Sequence, residues 1–426
     1  MPGDKSISHR AAMITAMATG VSRITNFSTS VDCATTLTCL EQLGIAIERD
    51  GPELLIQGVG VDGLRVPSAP LNCGNSGTTM RLLAGILAGQ NFRSELSGDA
   101  SLSARPMQRI IEPLEMMGAN ISADDGRAPL VIEGRRPLSA ITYELLVASA
   151  QVKSCVLLAG LNANGRTEVI ENEATRDHTE RMLQFFEIPV ETGAAAREGA
   201  QSRFAAVSGP AQLRARSVSV PGDISSAAYF IAAAALIPGS SITIDKVGIN
   251  PSRIAFLSQL ASLGFHVSVT DAGVVSNEPI GAIEVRGAGP PQSSEHLQPP
   301  YLIDGLMIPQ LIDELPLMAV VGSQIDNGLE IRDAAELRVK ESDRIAATAA
   351  GLRAMGAEVE EFADGLRVAG RARLRGAQID SGGDHRIAMA FSIAGLLADG
   401  ETEIKDADCV AVSFPEFFHL LDSVIQ

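Results

Sequence analysis

Gly222–Gly239 reads GDISSAAYFIAAAALIPG, and the chain then runs into SITIDK (Ser241–Lys246). A polar turn opens the stretch, small apolar residues fill it, Pro-Gly closes it, and the residues after it alternate apolar with polar. This is a helix followed by a short strand. The same succession returns in SISHRAAMITAMATG (Ser6–Gly20), GNSGTTMRLLAGILAG (Gly74–Gly89), SAQVKSCVLLAGL (Ser149–Leu161), DELPLMAVVG (Asp313–Gly322) and GDHRIAMAFSIAGLLADG (Gly383–Gly400). Strand-like SRITNF, RSELSG, TEVIEN, LEIRDA and TEIKDA follow them in turn. A second helix then closes on CLEQLG, LEMMG, MLQFFE, QLASLG or GLRAMG, four of the five ending in the glycine that commonly stops a helix. Alternating strands such as AEVEEF and GLRVAG complete the unit. The period is roughly 70 residues, the signature of a repeat architecture.

Three units precede Pro221 and three follow it. The expected fold class is α/β, with two similar domains of three repeats each, spanning residues 5–221 and 222–426. Pro2-Gly3-Asp4 and Pro221-Gly222-Asp223 are the same tripeptide at the same phase of the repeat, which marks them as the two crossings between domains, with residues 1–4 at the first. The sixth unit ends after FPEFFHLLDSVIQ without a closing pair of strands.

A chain of 426 residues suits two cores. Hydrophobic residues at 46% and charged residues at 20% describe a globular protein. Aromatics at 4%, with no Trp, leave the cores to Ala, Leu, Ile, Val and Met. The net charge of −17 argues against a nucleic-acid partner, though a local basic pocket for an anion is compatible with it. Five scattered Cys without a CxxC fit a reducing cytoplasm and give no zinc pattern. No apolar run has the length of a membrane span, and the stretch after Lys5, His9 and Arg10 is too short and too polar for a signal peptide.

The helix starts carry Lys5, Ser6, Arg10, Asn75, Thr78, Gln151, Lys153, Asp313, His385 and Arg386. Ser6, Asp223 and Asp313 are explained as caps. Lys5, Arg10 and Arg386 are not, because a cation is disfavoured where the helix dipole is positive. A bound anion would offset both. Arg105, Arg176, Lys340 and Arg344 lie before or at the second helices, and Arg grips phosphate or carboxylate with two parallel bonds. The ligand set should therefore carry several negative charges. Asp313 and Glu341 are the acid–base candidates. The GxxxxGK[ST] phosphate loop and HExxH are absent, and a lone His178 reads as a hydrogen-bonded structural residue.

PGDKSISHR (Pro2–Arg10), GNSGTTMR (Gly74–Arg81), ARPM (Ala104–Met107), SAQVKS (Ser149–Ser154), TRDHTE (Thr175–Glu180), VPGDISSAAYF (Val220–Phe230), LRVKESDRI (Leu337–Ile345) and GDHRIAM (Gly383–Met389) together resemble the 5-enolpyruvylshikimate-3-phosphate synthases. The resemblance covers nearly the whole chain in the family's order. It implies two domains of three ββαβαβ-type units, the inverse α/β-barrel-like enolpyruvyl transferase fold, with the active site in the cleft between them. It implies transfer of the enolpyruvyl group of phosphoenolpyruvate to the 5-hydroxyl of shikimate 3-phosphate, on the route to chorismate and aromatic amino acids. No metal, cofactor, nucleic acid or membrane is implied, and a cytoplasmic monomer is expected. By resemblance, Lys5, Ser6, Arg10, Ser149, Gln151, Arg176, Asp313 and Lys340 form the shikimate 3-phosphate site. Lys5, Gly77, Arg105, Gln151, Arg344 and Arg386 form the phosphoenolpyruvate site. Asp313 is similar to the family's base on the 5-hydroxyl, and Glu341 and Lys5 to the groups that move the proton at C3. A hinge is expected near Asp4 and Asp223.

The match departs in three places. Many members have a further lysine before the late Ser/Thr-Phe-Pro segment, where this chain has Val412, with Lys405 nearby. Members usually have a short strand before PGDK, whose restoration is expected to raise stability. Gly77 stands where members tolerant of the inhibitor glyphosate often have Ala, so sensitivity is expected. Two rival readings stay open: the enolpyruvyl transferase acting on UDP-N-acetylglucosamine, with Cys73 beside GNSGTT, and an anion-binding paralogue without turnover.

Overall fold

The computed structural model describes residues 1–50, 53–195, 202–289 and 300–425. They form two compact units. The N-terminal unit is Pro2–Pro221 with Val274–Glu278; the C-terminal unit is Met1, Gly222–Gly273 and Pro279–Gln426. The unit boundary thus falls before Pro2 at one Pro-Gly-Asp and after Pro221 at the other, and a five-residue hairpin tip from the later sequence belongs to the N-terminal unit.

In the N-terminal unit the first repeat is α1 (Lys5–Ala16), strand Ala18–Thr25, α2 (Val31–Gln42) and strands Ala46–Asp50 and Glu53–Val59. The second is α3 (Gly77–Ala88), strand Arg93–Ser97, the short α4 (Ala100–Ala104), α5 (Gln108–Met116) and strands Asn120–Asp124 and Arg127–Glu133. The third is α6 (Ala150–Gly160), strand Ala163–Glu171, α7 (His178–Phe185) and strands Val190–Ala194 and Arg203–Gly209. In each, the last strand lies in the middle, antiparallel to both others. A short parallel strand flanks each sheet. Leu71–Asn72 and Leu138–Ser139 come from just before their own first helix. The first sheet instead takes Leu213–Arg214 and Val218–Ser219 from the end of the unit, so the third repeat closes onto the first.

The C-terminal unit repeats the plan with α8 (Ile224–Leu236), α9 (Ala255–Ser262), α10 (Ile308–Leu311), α11 (Leu315–Gln324), α12 (Arg344–Ala354), α13 (His385–Leu396) and α14 (Phe417–Val424). Its sheets have three, four and two strands among the described residues, the last pairing Gln378–Asp380 with Glu403–Lys405.

The small-residue helices are interior. Every residue of α8 is buried, as are Val152–Gly160 of α6 and His385–Phe391 of α13. Small side chains permit this because helices apolar on all faces can pack on several neighbours at once. Where α3 meets α6, a Cβ on Gly85 would stand 2.2 Å from the Cys155 carbonyl oxygen, so only glycine allows that approach. No single helix is long and apolar enough to cross a membrane.

Candidate active site

In the N-terminal unit the first turns of α3 and α6 meet, and Arg10 ties α1 to α6 one turn further on. Asp4 caps α1, accepting from the Ile7 N–H at 2.9 Å. Ser6 lies inside the helix and is not the cap expected for it. Lys5 donates to Oδ2 of Asp32 on the first turn of α2 at 2.9 Å, yet 18% of its side chain stays exposed. Arg10 is buried and ties three helices together: Nε donates to Thr179 at 2.7 Å, Nη1 to the Ser6 carbonyl at 2.8 Å and Nη2 to Ser154 at 2.7 Å. Burial pushes its pKa down to about 10, with Arg176 pressing the same way and Glu180 and Asp4 pulling against it.

Gln151 joins the starts of α6 and α3. Its Nε2 donates to Thr78 at 2.9 Å and its Oε1 accepts from Nη1 of Arg81 at 2.6 Å. Ser149 caps α6 through the Val152 N–H at 3.4 Å. Arg105, at the end of α4, donates to Oδ1 of Asn75 at 2.7 Å. Gly77 separates the two guanidiniums. A Cβ there would lie 2.8 Å from Nη1 of Arg81 and 3.4 Å from Nη1 of Arg105. Arg176 is half-buried near the end of the loop into α7. That loop is anchored by Glu171, which accepts from Thr175 Oγ1 at 2.7 Å and from buried Lys153 at 3.1 Å. His178 pairs with Glu278 at 2.7 Å, both buried, in agreement with a structural histidine.

In the C-terminal unit the first turns of α8, α11 and α13 meet in the same way. Asp223 caps α8, as expected, through the Ser225 N–H at 2.9 Å. Asp313 does not cap α11. The cap position is Glu314, whose side chain makes no capping bond. Asp313 is instead placed beside two cations, 3.7 Å from Nη1 of Arg344 and 3.8 Å from Nη2 of Arg386. Arg344 is fully buried and tightly held, by Glu341 at 2.6 Å and Asp384 at 2.8 Å. Arg386 is held less closely, 3.6 Å from Glu314 and with Nη1 donating to the Asp313 backbone carbonyl at 3.5 Å, and its buried Nε has no hydrogen-bond partner among the described residues. Burial works against both guanidinium charges, but the carboxylates around them prevail and raise both pKa values. Tyr229, buried beside Arg386 and Glu314, has its hydroxyl pushed up to about 12 by burial. Lys340 lies 3.4 Å from Glu336. Although a quarter of its side chain meets solvent, burial lowers its pKa, against the upward pull of Glu336 and Asp313.

Each unit therefore gathers cations at helix N-termini, the arrangement that binds anions. Among the described residues no group of three or more His, Cys, Asp or Glu side chains is placed to hold a metal ion.

Residues 1–421 match the family model described as EPSP synthase (3-phosphoshikimate 1-carboxyvinyltransferase). The chain belongs to the EPSP synthase family. It is 52% identical over 426 residues to the 3-phosphoshikimate 1-carboxyvinyltransferase of Koribacter versatilis, covering all of this chain and 96% of that one. It is 49% identical to that of Salinibacter ruber, with the same coverage. Among solved structures, an EPSP synthase from Acinetobacter baumannii superposes with a TM-score of 0.83 at 41% identity, covering 99% of this chain and 94% of the other.

Set against that family, the residues singled out from sequence divide between the two units. Lys5, Ser6, Arg10, Gly77, Arg105, Ser149, Gln151 and Arg176 lie in the first, and Asp313, Lys340, Glu341, Arg344 and Arg386 in the second. Sequence reasoning missed the side chains that hold them: Asp32, Arg81, Thr179 and Ser154 in one unit, Glu314, Asp384 and Ser225 in the other. All of them but Asp32 stood inside quoted stretches, and only their partners reveal their place. Cys73 is a buried thiol whose pKa is raised by its hydrogen-bonding neighbour Cys39 and by burial, so it is a packed residue. Lys405 is exposed on the two-stranded sheet, with its Cα paired to Asp380, and Val412 is half-buried.

Proposed function

We propose that this chain transfers the enolpyruvyl group of phosphoenolpyruvate to the 5-hydroxyl of shikimate 3-phosphate, and that the residues gathered in the two units act on that one pair of substrates. The observation that carries the reading is the placement of Asp313. Its carboxylate stands 3.7 Å from Nη1 of Arg344 and 3.8 Å from Nη2 of Arg386, and 21% of its side chain stays open to solvent. Asp384, by contrast, is fully buried. A partly exposed carboxylate beside cations that can face an anionic substrate is placed as a general base needs to be.

Both substrates carry a phosphate and a carboxylate, so they repel. Lys5, Arg105, Gln151, Arg344 and Arg386, with the backbone at Gly77, offset the charge of phosphoenolpyruvate. Lys5, Ser6, Arg10, Ser149, Gln151, Arg176 and Lys340 hold shikimate 3-phosphate. Cations fixed in advance by Asp32, Asp384 and Thr179 need no reorganisation when substrate arrives.

In the first step the 5-oxygen bonds to C2 of phosphoenolpyruvate as Asp313 takes the hydroxyl proton, and C3 gains a proton from Glu341 or Lys5. In the second, the C2–oxygen bond to phosphate breaks, phosphate leaves, and C3 returns a proton, giving the enolpyruvyl ether. Incubation of the chain with both substrates in deuterium oxide tests this. Phosphate and an enolpyruvyl ether carrying deuterium at C3 are expected. Phosphate without the ether, or an ether formed only with UDP-N-acetylglucosamine as acceptor, would contradict it.

A further inference from the structure

The starts of α8, α11 and α13 are joined by side chains to which the transfer chemistry gives no role. Glu314 is 4% exposed and does not cap its own helix. Its Oε1 accepts from the Ser225 hydroxyl at 2.5 Å and stands 3.6 Å from Nη1 of Arg386. Ser225 accepts in turn from Nη2 of Arg253 at 2.7 Å, and that guanidinium lies 3.6 Å from Oδ1 of Asp223. All of these residues are buried.

A buried carboxylate must be compensated. Were Arg386 the sole compensation for Glu314, the two would close to hydrogen-bond distance and the guanidinium would be consumed. The Ser225 hydroxyl, itself held by Arg253, takes part of that load. Arg386 is left at ion-pair distance from both carboxylates, 3.6 Å from Glu314 and 3.8 Å from Asp313, with Nη1 donating to the Asp313 backbone carbonyl at 3.5 Å and Nε unpartnered among the described residues. Arg344 shows the opposite state, bonded at 2.6 and 2.8 Å.

We infer that Glu314 is a positioning residue for Arg386: held by Ser225, which Arg253 holds in turn, it keeps the guanidinium from closing onto the Asp313 carboxylate and leaves it available to an incoming phosphate or carboxylate. The inference rests on the reading that Arg386 grips phosphoenolpyruvate. Without the Glu314 charge, Arg386 swings to Asp313, which removes an anion ligand and occupies the base at once.

A double-mutant cycle on phosphate release tests it. Glu314→Gln keeps the shape and the acceptor for Ser225 but loses the charge. Its kcat/KM for phosphoenolpyruvate is expected to fall by about 10- to 100-fold, with KM for shikimate 3-phosphate unchanged and a cooperative melt retained. Combined with Arg386→Lys, the loss is smaller than the product of the single losses; combined with Arg344→Lys, it equals the product. If Glu314→Gln does not fold, Ser225→Ala enters the same cycle, with a smaller loss and the same pattern. Product behaviour in both pairs, or wild-type constants in Glu314→Gln, overturns the inference while leaving the transfer reaction standing. A folded wild-type chain without phosphate release removes both.

Discussion

Arg344 and Asp384 are joined through both carboxylate oxygens, Nε to Oδ2 at 2.8 Å and Nη2 to Oδ1 at 3.3 Å. The same Oδ1 accepts the backbone N–H of Arg386 at 2.9 Å. One buried carboxylate thus sets the guanidinium of one arginine and the helix start of the other. Burial works against its ionised form, but Arg344 prevails and holds its pKa below the usual range.

Asp384→Ala leaves Arg344 buried without its main partner. Removing one member of a buried pair costs about 3–5 kcal/mol, so urea midpoints should drop sharply. In the protein that still folds, kcat/KM for phosphoenolpyruvate should fall by about 100-fold or more, because the guanidinium is no longer aimed. Wild-type kinetics in a folded Asp384→Ala variant would show that Arg344 needs no such support.

The six-fold repeat was plain in the sequence because each first helix is a run of small apolar residues with a polar start, and that pattern survives where individual identities differ. The caps were harder. Ser6 and Asp313 have the right chemistry, but Asp4 and Glu314 occupy the positions, and nothing local separates residues so close in sequence. The cations were legible because Lys5, Arg10 and Arg386 sit where a helix dipole disfavours them. Their holders were not, since Asp32 and Thr179 reach Lys5 and Arg10 from 27 and 169 residues away. Such pairing is a property of the packing of α1 on α2 and α7.

Gly77→Ala adds a methyl 2.8 Å from the tip of Arg81. The tip is flexible and can yield, so stability should stay near wild type. The displaced guanidinium weakens its bond to Gln151 and narrows the space beside Arg105. KM for phosphoenolpyruvate should rise by about tenfold, and inhibition by glyphosate, expected in the wild type, should weaken. Unchanged inhibition and KM in the variant would place Gly77 outside the site.

Lys340 loses its proton below the ordinary 10.5, because burial lowers its pKa. Its charge is present at neutral pH and disappears as pH rises through that lowered value. KM for shikimate 3-phosphate should therefore climb on the alkaline side before an ordinary lysine would titrate. Lys340→Arg should abolish that limb, since guanidinium stays charged. An alkaline limb identical in both proteins would assign it to another group.

His9 is buried against Thr36 at 2.7 Å, and burial, with Lys5 and Arg10 assisting, holds its pKa well below 6.5. The unfolded chain takes up the proton first as pH falls below 6.5, so the native state loses stability there, by at most about 1.4 kcal/mol per pH unit from this group. Thermal melts from pH 7 to pH 5 should fall more steeply for the wild type than for His9→Gln. Parallel curves would mean that His9 protonates freely in the folded state.

The most direct test of the transfer reaction and its base is the initial rate of phosphate release from phosphoenolpyruvate, with and without shikimate 3-phosphate, in the wild type and in Asp313→Asn. Release should require both substrates and fall by about 100- to 10,000-fold in the variant, the usual worth of a general base. Release from phosphoenolpyruvate alone, or an Asp313→Asn rate equal to the wild type, would contradict the account.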